Sequence, residues 1–172
     1  LVVILSFIAP GFFSLDNFVN VLRQISMIAI LAVGSFFVMV SGGIDISTGA
    51  NVGLTGVIFS LMMVSLHIPP VLAVPMAICF GAMIGLVNGL IVTKLGIPAM
   101  TLATQSVCAG ATYVITNGYA ISGLPESVLF LGKGYLFGLK WLPWPVAILL
   151  VVVVASHFVS QKTKYGRYLY AV

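Results

Sequence analysis

The chain has 172 residues, of which 61% are hydrophobic and only 6% are charged. Soluble domains have roughly a quarter of their residues charged, so this composition excludes a water-soluble protein and predicts an integral membrane protein. The formal net charge of +4 does not indicate nucleic-acid binding, because the few basic residues lie at the ends of apolar runs, where they set membrane topology.

The apolar runs predict an all-α, polytopic transmembrane helical bundle of about six spans, because each span needs about 20 residues. Residues 1–13 are interpreted as the end of a first span whose start is missing. Residues 12–24 predict a short interfacial helix. The remaining spans are predicted from segments without charge, at residues 25–41, 48–66, 71–93, 99–116 and 141–160. Gly96-Ile97-Pro98 separates the fourth span from the fifth, and residues 117–140 predict a glycine-rich loop before the last.

Asp45 lies in the stretch SGGIDISTGA and is the only charged residue between Gln24 and Thr93. Gly42 and Gly43 each cost about 1 kcal/mol in a helix relative to alanine, so the bundle is predicted to contain a helix break near Gly42–Ser47. A new helix then begins at Ser47 or Thr48, and its N-terminus favours a nearby anion.

Three interpretations of this stretch stay open. It is a plain cytoplasmic turn, or a pathway-lining break in which Asp45 caps the new helix, or a site where Asp45 contacts substrate directly. The second and third are considered because transporters place irregular backbone where it is buried in protein or lines a wet cavity.

The fifth span carries a mildly polar stripe at helical spacing, formed by Thr101, Thr104, Gln105, Cys108, Thr112 and Thr116. Its threonine hydroxyls either bond to carbonyls of their own helix or face a pathway. Gln105 needs partners, because its amide has four hydrogen-bonding positions. The candidates for lining or gating a pathway are Gly42, Gly43, Asp45, Ser47, Asn51, Thr101, Thr104, Gln105 and Thr112.

Gly81, Gly85 and Gly89 recur at four-residue spacing in the fourth span. Small residues at this spacing let helix backbones approach closely within lipid. The pattern predicts tight helix packing inside one subunit or a dimer interface, and neither alternative identifies a function.

Basic residues at the span ends divide into two groups on alternate sides of the membrane. Lys94, Lys162, Lys164 and Arg167 form one group, and Arg23, Lys133 and Lys140 form the other. The dense run at residues 162–167 follows a span directly, so we expect the first group to lie in the cytoplasm and the loop at 117–140 to be external.

Five segments appear in the order PGFFSLDNFVNVLRQIS, SGGIDISTGA, GLVNGLIVTKLGIPAMTLAT, YVITNG and KTKYGRYLYAV. With these segments the whole chain resembles the permease subunit of ABC importers for monosaccharides of the ribose, galactose, xylose and autoinducer-2 type. The resemblance is to the N-terminal half of the family's chain, so residues 1–172 are expected to form a single transmembrane permease domain, as a fragment. The family often has valine at Thr48 and arginine at Ala109, and often a second proline or a phenylalanine after Pro98, which weakens any assignment of the sugar.

The resemblance implies a multi-pass protein of the bacterial inner membrane that forms a translocation pathway. The implied partners are a second permease subunit in a homo- or heterodimer, a cytoplasmic ABC ATPase, and a periplasmic sugar-binding protein. It implies no enzymatic activity and no cofactor bound by this chain, since a separate subunit hydrolyses ATP. Lys164, Tyr165, Gly166 and Arg167 would lead into the region that couples to that ATPase.

Three other classes are alternatives to the sugar importer. A branched-chain amino acid or nucleoside ABC permease is the nearest. An ion-coupled secondary transporter would need more membrane carboxylates or histidines than Asp45 alone. An intramembrane enzyme is disfavoured, because the sequence has no HExxH, GxSxG or Walker motif and no second membrane carboxylate.

Overall fold

The computed structural model describes residues 2–8, 11–97 and 99–171. Its regular elements are α-helices and one short 3-10 turn at Leu136–Gly138, which confirms the predicted all-α class. The helices are α1 (Val2–Ile8), α2 (Leu15–Val40), α3 (Thr48–Val64), α4 (Pro70–Leu95), α5 (Met100–Thr116), α6 (Glu126–Lys133), α7 (Trp144–Lys162) and α8 (Lys164–Leu169). Pro98, part of the predicted separator between the fourth and fifth spans, lies outside the described residues.

Three of the described helices, α2, α4 and α7, are long and apolar enough to cross a membrane. The chain is therefore a multi-pass membrane protein. Helix α3 is also apolar, but its 17 residues extend only about 26 Å, less than the ~30 Å of a bilayer's hydrocarbon core. The total of about six spans stays a prediction.

The prediction of an interfacial helix separate from the second span is wrong, because both segments form the single helix α2. No proline or glycine lies between Leu15 and Val33 to interrupt it. The helix begins where the Ser14 hydroxyl accepts a hydrogen bond from the backbone N–H of Asn17 at 3.2 Å. Asp16 lies in the first turn, where the helix dipole favours a negative charge.

The prediction of a glycine-rich loop at residues 117–140 is also wrong in part, because the segment contains α6 and the 3-10 turn. Glu126 lies in the first turn of α6 and Lys133 in its last turn. Both charges therefore complement the helix dipole. The nearby glycines obscured this short helix in the sequence, although Pro125 directly before Glu126 is typical of a helix start.

The chain divides into two compact units, and the first combines residues 1–33 with residues 129–168. In it, Arg23 Nη2 donates to the backbone carbonyl of Lys133 at 2.5 Å. The Arg23 guanidinium also lies 5.0 Å from the centre of the Tyr135 ring. These contacts join α2 to the end of α6 and agree with the prediction that Arg23 and Lys133 share one side of the membrane.

The second unit combines residues 34–128 with residues 169–172. Here α3 packs against both α4 and α5. The buried apolar side chains between these helices include Leu54, Met63, Ala73, Ala77 and Cys108. This three-helix packing fixes the start of α3, which follows the predicted break. The prediction of one domain over residues 1–172 stays a prediction.

The charge pattern predicts which residues a membrane-impermeant thiol reagent reaches in intact cells. We expect a cysteine at Lys133 to be labelled from the periplasm, and cysteines at Lys94 and Lys162 to be labelled only after the cells are permeabilised. All three side chains are exposed in this chain. Labelling of position 94 but not of position 133 in intact cells would show that the orientation in the membrane is the reverse of the predicted one.

Candidate translocation site

The end of α2 is closed by Gly42 and Gly43, the two glycines of the predicted break. The N–H of Gly42 donates to the carbonyl of Met39 and the N–H of Gly43 to the carbonyl of Val38, each at 3.0 Å. Gly42 has a φ of +76°. This pair of bonds is the Schellman motif, which needs a left-handed residue and therefore favours glycine. The predicted helix break is confirmed.

Asp45 follows this helix end and forms hydrogen bonds with Ser47, the residue directly before α3. Its Oδ1 accepts hydrogen bonds from the backbone N–H of Ser47 at 2.8 Å and from the Ser47 hydroxyl at 2.6 Å. Ser47 is the N-cap of α3, and its own side chain makes no capping bond to the first turn. The prediction that a helix begins at Ser47 or Thr48 is confirmed, but Asp45 orders the cap residue rather than binding the N–H groups of the first turn.

Asn88 on α4 joins this turn to two helices. Its Nδ2 donates to the Ser47 hydroxyl at 2.8 Å, and its Oδ1 accepts from the Thr104 hydroxyl on α5 at 2.6 Å. Asn88 is 3% exposed and Ser47 is 1% exposed. Side chains from the break, α4 and α5 therefore form one continuous chain of hydrogen bonds: Thr104 to Asn88, Asn88 to Ser47, and Ser47 to Asp45.

Asn88 is not among the site residues predicted from the sequence. The available signal was an amide within the apolar run of α4, since an amide in lipid must find partners. Asn88 lies seven positions before Leu95, the last residue of α4, or about 10 Å along the helix axis. The break therefore contacts α4 about two helical turns before its end rather than at the end itself.

A cleft of about 360 Å³ opens beside this chain of hydrogen bonds. Polar groups reach it from the end of α2, the break, α4 and α5, and apolar or glycine positions separate them. Its lining includes Ser41, Gly42, Gly43, Asp45, Gly85, Asn88, Gly89, Thr93 and Thr101. Its volume falls within the range of about 300–1,000 Å³ typical of small-molecule sites. No lysine, arginine or histidine is among the described residues that line it.

The residues of the polar stripe on α5 have different surroundings in the structure. Thr101 is buried and lines the cleft, and Thr104 binds Asn88. Thr112 donates to the carbonyl of Cys108 in its own helix at 2.8 Å, and it lines a second cavity of about 790 Å³ between α3 and α5. Gln105 is half-buried and makes no hydrogen bond to the described residues, so the partners expected for its amide are not found within them.

Asn51 joins α3 to α4 at the first glycine of the Gly81, Gly85 and Gly89 series. Its Nδ2 donates to the carbonyl of Gly81 at 3.1 Å. A Cβ at Gly81 would lie 3.2 Å from Thr55 Oγ1. At Gly85 and Gly89 a Cβ would meet no described atom within 4 Å, and both glycines line the cleft. The close backbone contact described in this chain is therefore at Gly81.

We expect Gly81→Leu to lower the yield of intact, detergent-stable protein more than Ala82→Leu does. The larger side chain at Gly81 collides with Thr55 and separates α3 from α4, which typically costs about 1–3 kcal/mol. Ala82 is a neighbouring exposed position on the same helix. Size-exclusion yield at equal expression measures the effect, and equal losses from the two variants would show that Gly81 is not a packing contact.

Lys164, Tyr165, Gly166 and Arg167 all lie on α8. Three of these side chains are exposed, and Gly166 is buried against the backbone of Ser160. The N–H of Gly166 also donates a hydrogen bond to the Thr163 hydroxyl at 3.3 Å. This contact fixes α8 against the end of α7 and leaves the side chains of Lys164, Tyr165 and Arg167 exposed.

The family model described as branched-chain amino acid transport system / permease component matches residues 17–172. Ribose import permease protein RbsC of Haemophilus influenzae is 39% identical across all of this chain, which covers 54% of that protein. RbsC of Escherichia coli K12 is 35% identical and that of Bacillus subtilis 37%, again across the whole chain and over 54% and 53% of those proteins.

No solved structure matches this chain. The chain spans about half the length of the curated relatives that it matches, and it corresponds to their N-terminal half. The family model, by contrast, covers nearly all of the chain. The chain therefore belongs to the family of branched-chain amino acid transport system permease components.

Proposed function

We propose that this chain is the membrane-spanning subunit of an ATP-driven importer and forms the pathway for a monosaccharide, with ribose as the first candidate. The similarity to three ribose import permeases extends along the whole chain. The observation that carries the proposal is the polar cleft at the helix break, which lies within otherwise apolar helices.

The chemistry of this cleft favours a sugar over an amino acid. Sugar hydroxyls donate and accept hydrogen bonds, and the cleft offers hydroxyl, amide and carboxylate groups from Ser41, Asp45, Asn88, Thr93 and Thr101. A branched-chain amino acid carries a carboxylate, which would need a cation or a set of N–H donors. The described lining provides no cationic side chain for it. A sugar is therefore preferred over the amino acid that the family description names.

We further propose the partners that an importer of this kind requires. These are a second permease subunit, a cytoplasmic ATPase beside α8 and a periplasmic sugar-binding protein, in a bacterial inner membrane. The exposed side chains of Lys164, Tyr165 and Arg167 suit a cytoplasmic contact. This chain then contributes no enzymatic step and binds no cofactor, because the ATPase subunit binds the nucleotide.

Sugar uptake tests the proposal. The gene product that contains this chain is expressed with its neighbouring ATPase and binding protein in a strain that lacks ribose permease, and radiolabelled ribose uptake is measured. We expect uptake that stops when the ATPase carries a Walker-lysine substitution. A parallel thermal-shift screen of the binding protein against monosaccharides and branched-chain amino acids identifies the substrate class.

The outcomes separate the alternatives. Stabilisation of the binding protein by leucine, isoleucine or valine alone would overturn the sugar assignment and support the amino acid permease. Uptake that continues when the ATPase carries the substitution, but is abolished by adding a protonophore, would instead support an ion-coupled transporter.

A further inference from the structure

The Thr104 hydroxyl has one proton and two acceptors within reach. Oγ1 lies 2.6 Å from Asn88 Oδ1 on α4 and 3.1 Å from the carbonyl of Met100 in its own helix. A threonine in a helix can satisfy its hydroxyl on a carbonyl one turn earlier. Thr104 can therefore lose its contact with Asn88 and still keep a hydrogen bond.

The contact between the break and α4 has no comparable alternative. The Ser47 hydroxyl donates to Asp45 Oδ1 at 2.6 Å and accepts from Asn88 Nδ2 at 2.8 Å. Both Ser47 and Asn88 are almost fully buried. Separating them would leave Asn88 Nδ2 without an acceptor among the described residues, which is costly for a buried donor. The hydrogen bonds at Asn88 therefore differ in their donors: Asn88 Nδ2 has no acceptor other than Ser47 among the described residues, whereas the Thr104 hydroxyl also reaches the Met100 carbonyl.

The packing of α3, α4 and α5 also differs between the contact of α3 with α4 and the contact of α4 with α5. Helix α3 packs extensively against α4 and against α5, whereas α4 and α5 contact each other much less. The hydrogen bond from Thr104 to Asn88 thus lies at the least extensive of the three interfaces. Movement of α5 relative to α4 disturbs less packing than movement of α3 relative to either.

We propose that the bond between Thr104 and Asn88 is a releasable link between α4 and α5 that opens and closes during each transport cycle. Asn88 is then a positioning residue that keeps the start of α3 on α4 in both states. When the link opens, the Thr104 hydroxyl turns to the Met100 carbonyl. Asn88 Oδ1 becomes an acceptor for water or a sugar hydroxyl in the cleft that it lines. This inference rests on the proposed transport function.

The direct test measures the distance between α4 and α5 without reference to the sugar. Spin labels are placed at Leu90→Cys and Leu102→Cys, two exposed positions, in the assembled complex with Cys79→Ser and Cys108→Ser. Distance distributions are recorded without nucleotide and with ATP trapped by an inactive ATPase. We expect the distribution to shift between the two states, and identical distributions would overturn the releasable link.

The second test removes only the hydroxyl. We expect Thr104→Val to lower the maximal uptake rate about three- to twentyfold, the range corresponding to interhelical hydrogen bonds in membranes, with unchanged KM and complex yield. Thr104→Ser keeps the hydroxyl and should restore the rate. Ser106→Ala is the matched control, because Ser106 is exposed and bonds only to the Leu102 carbonyl of its own helix.

The results distinguish three cases: a releasable link at Thr104, a purely structural contact at Thr104, and failure of the proposed transport function. A loss of complex yield that accounts for the loss of uptake in Thr104→Val would show a structural contact and overturn the link. Wild-type uptake by Thr104→Val would also overturn it. If the unmodified complex imports no monosaccharide, the proposed function fails, while the distance measurement still decides whether α4 and α5 separate.

Discussion

Asp45→Leu is expected to abolish uptake, whereas Asp45→Asn retains most of it. Asp45 Oδ1 accepts hydrogen bonds from both the backbone N–H and the hydroxyl of Ser47, and the carbonyl oxygen of asparagine can accept the same two bonds. Leucine accepts neither, and the buried N–H of Ser47 is then left without a partner at a cost of about 1–3 kcal/mol. Initial rates of ribose uptake at matched protein levels measure the difference.

The control for this prediction is Asp16→Asn, which removes an exposed carboxylate from the first turn of α2. Loss of uptake in both Asp45 variants, with the complex still assembled, would show that transport requires the negative charge itself. Normal uptake by Asp45→Leu together with Gly43→Leu would show that the break is only a turn. A Cβ at Gly43 would lie 3.2 Å from Val38 Cγ1, so the second variant tests the helix end independently.

Gly166→Ala is expected to uncouple the chain from the proposed ATPase, with uptake reduced at least about tenfold. The added methyl group would collide with the backbone of Ser160, including its carbonyl carbon and oxygen. Backbone cannot move aside as a flexible side chain does, so α8 must shift from the end of α7, at a typical cost of about 1–3 kcal/mol. We expect membrane insertion to be retained, because α7 itself is unchanged.

The measurements are substrate-stimulated ATP hydrolysis and uptake in the reconstituted complex. Gly132→Ala is the matched control, since a Cβ there meets no described atom within 4 Å. Wild-type ATP hydrolysis and uptake by Gly166→Ala would exclude α8 from the coupling region. A complex that no longer contains the ATPase subunit would instead place the contact on α8 directly.

The helix break could be predicted from the sequence because its determinants are local. Two adjacent glycines end a helix and a serine begins the next, and Gly42, Gly43 and Ser47 have these positions in the structure. The continuity of α2 was missed because its polar residues suggested a boundary. A helix tolerates Asp16 and Arg23 near one end when no proline or glycine interrupts it.

The partners of the polar side chains could not be predicted, because they depend on which helix faces meet. Asn88 and Gln105 are both amides within apolar segments, and only Gln105 is predicted from the sequence as a site residue. The structure gives Asn88 partners on two other elements, whereas Gln105 has none within the described residues. Periodicity identifies a polar face, but the neighbour of that face is determined by tertiary packing.

The local closure of both helix ends at the break limits where the backbone can rotate. Val38 and Met39 have their carbonyls satisfied by Gly43 and Gly42, and Ser47 is fixed by Asp45. Only the dihedral angles of the three residues from 44 to 46 lie between these two ordered ends. Immobilising a residue costs about 1–2 kcal/mol of conformational entropy, so holding this three-residue joint in one orientation costs about 3–6 kcal/mol, less than a longer linker would. The chain can therefore use it as a pivot with few degrees of freedom, and neither helix end needs to unravel when the joint turns.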